Sequence, residues 1–343
     1  MQILKFKHIE FKENFLQILD QSLLPNHIVY RKLKHIKDFY KAIKEMWVRG
    51  APLIGVVAAY GVAIEAINSK DKNVEKLKRK IKKGIELLRK SRPTAYNLFW
   101  ALNQMEKICN SVHSTEELKE KLIEEAKRIH KEDQELCYKI GQHGEKLIRD
   151  SMRILTHCNA GALATAGIGT ALAPIYLAHL SGKKIKVYAS ETRPALQGAR
   201  LTAWELVQNG IDTVLICDNV RATLFSRGEI DLCIVGADRI ARNGDVANKI
   251  GTLDVALLCQ KFNVPFYVAA PYSTFDPNIS SGKEIPIEER DEKEVKEIMG
   301  VKIAPREVKV YNPVFDVTPA ELVTGYITEK GILKKEDIPN LKQ

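Results

Sequence analysis

Short runs of β-branched and apolar residues alternate with helical patterns from about residue 150 onward. The predicted strands are Arg153–His157, Ile185–Ser190, Thr213–Cys217, Leu232–Val235, Pro265–Ala269 and a last one near Val308–Tyr311. The predicted helices between them include Leu196–Asn209, Val220–Ser226 and Thr252–Phe262. Because parallel strands need a crossover connection, this alternation predicts an α/β fold with a mostly parallel sheet and helices on both faces.

The chain before residue 150 has helical spacing almost throughout, after a few short strand-like patterns in residues 1–30. The predicted helices are His35–Trp47, Ala51–Asn68, a lysine-rich helix within 70–92, Thr94–Asn110 and Ser114–Gly144. Ser114 followed by Glu117 is typical of a capping box at a helix start. The change of pattern predicts a mostly helical first domain and a boundary around residues 145–150.

The net charge of +10 is concentrated in one segment. Residues 70–92 hold eleven Lys or Arg against three acids, and their apolar residues follow helical spacing. This pattern predicts an amphipathic helix with a solvated lysine face. A nucleic-acid or membrane surface is the alternative, but no aromatic residue interleaves the lysines, and we predict neither partner.

The six cysteines show neither a CxxC motif nor zinc-like spacing with histidine. We therefore expect no structural zinc and a reducing, cytoplasmic location. Cys217 and Cys233 lie in apolar strand-like runs and are predicted core residues. The first residues lack the apolar centre of a signal peptide. The uncharged stretch Asn159–Leu180 is rich in Gly, Ala and Thr and contains Pro174, so we predict buried helices rather than a membrane span.

The segment Ile154–Gly169, ILTHCNAGALATAGIG, carries a thiol at a strand end. It predicts a buried strand, Cys158, a glycine turn and then a helix start, which would place the thiol beside free backbone N–H groups. Ligands of parallel sheets bind at the carboxyl ends of strands, which favours a site here. The alternative is that Cys158 is a small core residue. The adjacent His157 is predicted to be a structural histidine.

A second loop, VGADRIARNGDVANKIGT, follows the strand that ends at Val235. Asp238 would lie at the carboxyl edge of the sheet, and we expect apolar surroundings to keep it a proton donor near neutral pH. Asn248 and Lys249, just before a helix, can bind hydroxyl and phosphate groups. The alternative is a structural ion pair between Asp238 and Arg239.

Two further loops place an arginine before a helix. Arg49 lies in VRGAPLIG, where the next helix begins at Pro52, and Arg92 lies in SRPTAYN. An arginine beside a helix N-terminus favours phosphate binding, although Arg49 could also be an incidental surface residue. Gln197, in ETRPALQGARLTAWEL, falls in the first turn of a predicted helix and could reach a sugar hydroxyl.

Taken together, these motifs resemble the methylthioribose-1-phosphate isomerase family. That family belongs to a superfamily that includes the regulatory subunits of translation initiation factor 2B. The resemblance extends from VRGAPLIGVVAAYG (Val48–Gly61) to NPVFDVTPAELVTGYITEKG (Asn312–Gly331). THCNAGALATAGIGTAL, ETRPALQGARLTAWEL and VGADRIARNGDVANKIGT are each specific, and they occur in the family's order.

The resemblance implies a helical N-terminal domain, 1–147, with small strands at its start, and a Rossmann-like catalytic domain, 148–343. It implies a homodimer that converts the sugar phosphate 5-methylthioribose 1-phosphate to 5-methylthioribulose 1-phosphate in methionine salvage, with no metal or organic cofactor. The catalytic pair falls on Cys158 and Asp238. The substrate-binding positions fall on Arg49, Gly50, Ala51, Arg92, Gln197, Asn248 and Lys249.

The sequence departs from the family pattern at two strand ends. Ser190 stands where an acid usually precedes the ETRP motif, and Val220-Arg221 stands where the family usually has Met and a small residue. The added charge of Arg221 would favour a second anionic group on the substrate. The alternatives are therefore a 5-deoxyribose 1-phosphate isomerase, a ribose 1,5-bisphosphate isomerase, against which Pro52 argues, and a non-enzymatic regulatory subunit like those of initiation factor 2B.

Overall fold

A computed structural model describes residues 3–93 and 95–340 of the chain. They form two compact units. The helical unit comprises Leu4–Leu136 and Ala162–Gly169, and the sheet unit comprises Cys137–Gly161 and the chain from Thr170 onward. The fold is mixed α/β, with a helical N-terminal region and a sheet rich in parallel strands, so the predicted fold class is confirmed.

The helical unit begins with a three-stranded antiparallel sheet, and helices follow. Its strands are β1 (Ile9–Lys12), β2 (Phe15–Leu19) and β3 (Tyr30–Leu33). Its helices are α1 (Ile36–Lys44), α2 (Ala51–Ile67), α3 (Val74–Arg89), α4 (Tyr96–Ser111) and α5 (Thr115–Glu145), the last continuing into the sheet unit. Thr94, where the sequence predicts a helix start, lies outside the described residues.

Apolar periodicity decides how these helices pack. Helix α2 is apolar on all sides and is buried along nearly its whole length in the core of the helical unit. In α3, Leu77, Ile81, Ile85 and Leu88 are buried, while most of the lysines face solvent. The side chain of Asn73 accepts a hydrogen bond from the N–H of Lys76 and caps α3. The predicted amphipathic lysine-rich helix is thus confirmed.

The sheet unit alternates strands and helices, as the sequence predicts. Its helices are α6 (Ala173–Leu180), α7 (Ala203–Gln208), α8 (Arg221–Ser226), α9 (Thr252–Lys261) and α10 (Lys293–Lys296). Its strands are β4 (Arg153–Thr156), β5 (Lys186–Ser190), β6 (Asp212–Ile216), β7 (Leu232–Val235), β8 (Arg239–Ala241), β9 (Val246–Lys249), β10 (Phe266–Ala269), β11 (Phe275–Asp276), β12 (Glu297–Ile298), β13 (Val301–Lys302), β14 (Phe315–Thr318), β15 (Gly325–Thr328) and β16 (Gly331–Leu333).

The central sheet has seven strands in the order β16-β15-β10-β7-β4-β5-β6. All neighbouring pairs are parallel except β15 and β16, which are antiparallel. Strand β6 is an edge strand, and this position explains one wrong prediction: Cys217, just after β6, is exposed rather than buried. Cys233, in β7 near the middle of the sheet, is buried as predicted.

The predicted strand near Val308–Tyr311 is wrong. Residues 308–311 contain no strand, and Tyr311 is 78% exposed. The apolar residues of this stretch therefore do not indicate a buried strand. The chain instead returns to sheets at β14, β15 and β16. Across the described residues, no helix has both the length and the apolar character needed to cross a bilayer.

Candidate active site

Cys158 and Asp238 follow two neighbouring strands of the central sheet. Strands β4 and β7 run parallel, with Leu155 opposite Cys233. Cys158 comes three residues after Leu155, and Asp238 comes five residues after Cys233. Because parallel strands end at the same edge, the two loops leave the sheet side by side. The structure therefore brings these two predicted site loops together.

The loop after β4 does not lead into a helix. A short 3₁₀ turn forms at Ala162–Ala164, and α6 begins only at Ala173. The prediction of Cys158 at a helix N-terminus is therefore wrong. Glycines at 161, 167 and 169 disfavour a continuous helix in this stretch. Residues 162–169 instead belong to the helical unit.

Side chains of neighbouring segments fix the backbone at Cys158. This residue has φ +63°, in the left-handed region. Its N–H donates to Oγ1 of Thr192 at 2.9 Å, and its carbonyl accepts from Oγ1 of Thr202 at 2.6 Å. These two hydrogen bonds hold the strained turn that presents the thiol, which is itself half-buried.

A buried polar cluster, which the sequence did not predict, lies behind this turn. Nδ2 of Asn159 donates to Oε1 of Glu205, and the Tyr176 hydroxyl donates to Oε2 of Glu205 at 2.8 Å. Glu205 is fully buried, and a Cβ on Gly161 would overlap its carboxylate. Buried polar groups of this kind need partners, so the cluster specifies the course of the chain after Cys158.

Asp238 begins a hairpin that the sequence presented only as a loop. Its N–H donates to the carbonyl of Ala247 at 3.0 Å, and β8 then pairs antiparallel with β9. The Asn243-Gly244 pair, with Gly244 at φ +93°, makes the turn and is a recognised hairpin signal. Asn248 and Lys249 lie on the second strand of the hairpin, β9. This strand pairs with β8, which begins at the residue after Asp238.

The expected apolar environment of Asp238 is wrong, because the residue is exposed. The following Arg239 forms an ion pair with Asp276, at 3.8 Å. Asp238 lies between the buried end of β7 and the first strand of the hairpin, β8. An acid at this position is open to a ligand on its solvent side.

Asn248 and Lys249 lie at the end of β9. Nδ2 of Asn248 donates to Oγ1 of Thr252 at 3.0 Å, and the side chain is 5% exposed. Nζ of Lys249 donates to the carbonyl of Val314 at 3.1 Å and lies 5.0 Å from the centre of the Phe315 ring. The ammonium group is thus held beside the neighbouring strand β14.

A carboxylate occupies the helix N-terminus that follows Lys249. Asp316 accepts hydrogen bonds from the N–H groups of Gly251 at 2.7 Å and Leu253 at 3.2 Å. Burial raises the pKa of Asp316 to about 6, against the effect of these hydrogen bonds. Because the carboxylate uses these N–H groups, Asn248 and Lys249 would bind a ligand through their side chains.

His157 and Arg221 are both buried structural groups. Nε2 of His157 donates to the carbonyl of Ile250 at 2.8 Å, so the prediction of a structural histidine is confirmed. Burial and, secondarily, the charge of Arg221 lower the pKa of His157 to about 4. Arg221 is 3% exposed and donates to Asp218 at 2.6 Å, so the prediction that it attracts an additional anion is wrong.

Gln197 lies before a π-helical turn, Gly198–Thr202, that leads into α7. Its Oε1 atom is buried and has no hydrogen-bond partner among the described residues. A buried acceptor without a donor is unfavourable, and a ligand hydroxyl would satisfy it. Glycine is needed at 198 because a Cβ there would lie 1.6 Å from the carbonyl oxygen of Ser190.

The helical unit holds the other predicted site residues. Gly50 is the N-cap of α2 with φ +88°, and a Cβ on it would lie 2.3 Å from the carbonyl oxygen of Ala164. Ala51 begins α2, and Arg49 precedes it with a half-buried side chain. Arg92 is also half-buried and lies between α3 and α4.

The parallel sheet, with a thiol and a carboxylate in loops at its carboxyl edge and a lysine on the hairpin that follows, defines a Rossmann-like α/β protein with a candidate catalytic site. A family model described as the initiation factor 2 subunit family matches residues 47–335. The chain belongs to this family.

Named relatives extend over nearly the whole chain. A 5-deoxyribose 1-phosphate isomerase of Bacillus cereus is 53% identical, over 98% of this chain and 97% of that protein. A methylthioribose-1-phosphate isomerase of Caldicellulosiruptor saccharolyticus is 52% identical, over 98% and 99%. The crystal structure of a 5-methylthioribose 1-phosphate isomerase from Pyrococcus horikoshii is 42% identical, with a TM-score of 0.95, and the match covers 98% of this chain and 95% of that one.

Proposed function

We propose that this chain is an aldose–ketose isomerase that converts 5-methylthioribose 1-phosphate to 5-methylthioribulose 1-phosphate. The observation that carries the proposal is the adjacency of β4 and β7, which brings the loops of Cys158 and Asp238 to one edge of the sheet. Relatives named as isomerases of 5-substituted ribose 1-phosphates, 52–53% identical over nearly the full length, support it.

Each predicted site residue receives a role in this proposal. Cys158 and Asp238 are the catalytic pair. Arg49, Arg92 and Lys249 bind the phosphate, together with the backbone at Gly50 and Ala51, and cationic groups also stabilise charge that develops during the reaction. Gln197 and Asn248 bind sugar hydroxyls. The buried, unsatisfied Oε1 of Gln197 supports its assignment.

The substrate dictates the first step. Its anomeric oxygen carries phosphate, so the ring cannot open as a free hemiacetal does. We propose that the protonated carboxyl of Asp238 gives its proton to the ring oxygen as the bond between C1 and that oxygen breaks. Asp238 is exposed, so this role requires the bound sugar to exclude water around it.

Proton transfer at C2 completes the reaction. Cys158, as thiolate, removes the C2 proton, and the electron pair of that bond forms the C1–C2 double bond of an enol phosphate. The thiol then returns a proton to C1, while the O2 proton passes to the Asp238 carboxylate and the C2 carbonyl forms. The alternative is a direct hydride shift from C2 to C1, with the same pair moving only the O–H protons.

A substrate panel tests the function. The measured quantity is kcat/KM for the 1-phosphates of 5-methylthioribose, 5-deoxyribose and ribose. We expect the methylthio sugar to be the best substrate, and turnover of none of the three would refute the proposal. In heavy water, the enol route places solvent deuterium at C1 when the Cys158 thiol exchanges with solvent before it reprotonates C1. A hydride shift retains the substrate hydrogen completely, so any deuterium at C1 would rule the hydride shift out.

Isomerisation of 5-deoxyribose 1-phosphate is the second candidate function. The 53% identical Bacillus cereus relative carries that name, and its identity exceeds that of the methylthioribose relative by only one percentage point. The two sugars differ in a methylthio and a methyl group, a difference worth about 1–3 kcal/mol in an apolar pocket. A kcat/KM higher for the deoxy sugar would favour this candidate.

We also propose that the chain forms a homodimer in a reducing cytoplasm. Apolar side chains are exposed along 299–311, including Met299, Val301 and Tyr311 at 61%, 65% and 78%. Several exposed apolar side chains in one short segment favour burial against a second copy. The six cysteines are scattered along the sequence with no CxxC motif, which supports the reducing location. Light scattering should give twice the chain mass, and Val301→Asp should shift it toward the monomer.

A further inference from the structure

Arg221 makes two hydrogen bonds that join separate segments of the sheet unit. It is the first residue of α8 and follows the edge strand β6. Its Nη2 donates to Oδ1 of Asp218 at 2.6 Å, and its Nη1 donates to the carbonyl of Gly251 at 2.7 Å. The planar guanidinium suits this arrangement, because its donors point in fixed directions to two acceptors.

The first bond leads to Cys158. Asp218 also accepts from the N–H groups of Thr192 at 3.1 Å and Arg193 at 2.8 Å. The hydroxyl oxygen of Thr192 in turn accepts the N–H of Cys158. Asp218 therefore fixes the segment that holds the turn bearing the thiol, and Arg221 balances the charge of that partly buried carboxylate.

The second bond leads to Lys249. Gly251 has φ +96°, and a Cβ there would lie 3.3 Å from Nη1 of Arg221 and 3.2 Å from the ring of His157. His157 donates to the carbonyl of Ile250, the residue between Lys249 and Gly251. The guanidinium and the imidazole thus pack together against the turn that follows β9.

We propose that Arg221 is a positioning residue that keeps the Cys158 turn and the Lys249 turn in the relative positions that the reaction requires. The inference deepens the proposed function and rests on it. A guanidinium buried between Asp218 and Gly251 is a rigid link, since removing it would leave the carboxylate without its cation and the carbonyl of Gly251 without its donor.

Arg221→Met keeps an unbranched apolar side chain and removes both bonds. We expect kcat to fall and KM to rise together, because both turns lose an anchor that they share, with a loss in kcat/KM of about 10²-fold from misplacement of reacting groups. Arg227→Met is the matched control, since Arg227 is the C-cap of the same helix and is exposed. A kcat/KM for Arg221→Met equal to that of the control would overturn the proposal.

Arg221→Lys tests the same link without removing the charge. One ammonium can replace the bond to Asp218 or the bond to Gly251, but it lacks the fork that reaches both. We expect Arg221→Lys to fold and to give kcat/KM between those of Arg221→Met and the native chain. Native values of both kcat and KM for Arg221→Lys would show that the reaction does not need the hydrogen bonds to Asp218 and Gly251 at the same time.

A labelling experiment separates this inference from the proposed function, because it needs no turnover. Iodoacetamide alkylates a thiolate with loss of iodide, and mass spectrometry gives the rate at Cys158 alone. We expect Arg221→Met to change this rate at least about threefold, as a thiol's reactivity follows its local environment, while Arg227→Met leaves it unchanged. An unchanged rate in both variants would refute the positioning role, whichever sugar phosphate proves to be the substrate.

Discussion

Nε2 of His157 donates a hydrogen bond to the carbonyl oxygen of Ile250 at 2.8 Å. These two residues flank the candidate site residues: His157 precedes Cys158, and Ile250 follows Lys249. Because a carbonyl oxygen only accepts, the imidazole carries its proton on Nε2. Burial, followed by the charge of Arg221, lowers the pKa of His157 to about 4. The ring therefore stays neutral at physiological pH and ties the two segments together.

Asp238→Asn tests the proposed general acid. The amide is close in size but cannot give up a proton to the ring oxygen, so we expect turnover to fall by roughly 10²-fold or more. The measurement is kcat with saturating methylthioribose 1-phosphate. Asp212→Asn is the control, since Asp212 is exposed at the amino end of β6, away from the carboxyl edge. Near-native turnover of Asp238→Asn would remove this residue from the mechanism.

Two cysteine substitutions separate catalysis from packing. Cys158 is half-buried in the candidate site, whereas Cys233 is fully buried in β7. We expect Cys158→Ser to lose turnover with an unchanged free energy of unfolding. Cys233→Ser places a hydroxyl in an apolar core and should destabilise the fold by about 1–3 kcal/mol. If denaturation shows Cys158→Ser to be the less stable variant, Cys158 is a core residue.

Much of the sheet unit could be predicted because its signals are local. The strands β4, β5, β7 and β10 are apolar runs between helical patterns, and the structure places them close to their predicted bounds. Their parallel pairing then assigns the loops after Thr156 and Val235 to the same edge. The positions of Cys158 and Asp238 followed from these two steps together with the resemblance of motifs.

What the sequence did not reveal depends on long-range contacts. The course of the chain after Cys158 is set by Glu205 and Tyr176, and nothing in the local pattern of these residues marks them as partners of Asn159. The buried state of Arg221 likewise depends on Asp218 and on the carbonyl of Gly251, which is 30 positions away. The position of Arg221 after a strand end therefore predicted a cation that a ligand could reach, whereas in the structure this side chain is buried and connects Asp218 to Gly251.

The buried His8 should make stability depend on pH. Its Nε2 lies 2.8 Å from the carbonyl of Thr165, and burial lowers its pKa to about 4. In the unfolded chain its pKa is near 6.5, so as the pH falls the unfolded chain takes up a proton first. The contribution of the neutral ring is fully present above about pH 7 and is lost as the pH falls toward 4.

His8→Gln isolates this contribution. Between pH 7 and pH 5, we expect the free energy of unfolding of the native chain to fall by about 2 kcal/mol more than that of His8→Gln. Urea denaturation at the two pH values measures the difference. His27→Gln, at an exposed histidine, should behave as the native chain does. Identical pH dependence in all three proteins would contradict a buried neutral ring.

Gly50 and Gly182 form a natural pair for testing the close approach at the start of α2. Both have positive φ, +88° and +89°, so alanine at either position is strained by about 1–2 kcal/mol. They differ in surroundings: a Cβ at Gly50 would lie 2.3 Å from the backbone oxygen of Ala164, whereas nothing lies within 4 Å at Gly182. Backbone cannot swing aside as a flexible side chain can, so Gly50→Ala should lose about 1–3 kcal/mol more than Gly182→Ala. Thermal or urea unfolding measures this difference. Equal losses in the two variants would show that the backbone at Ala164 can move away from the new Cβ without a cost in stability. Because Gly50 separates Arg49 from α2, we also expect Gly50→Ala alone to raise KM for the sugar phosphate.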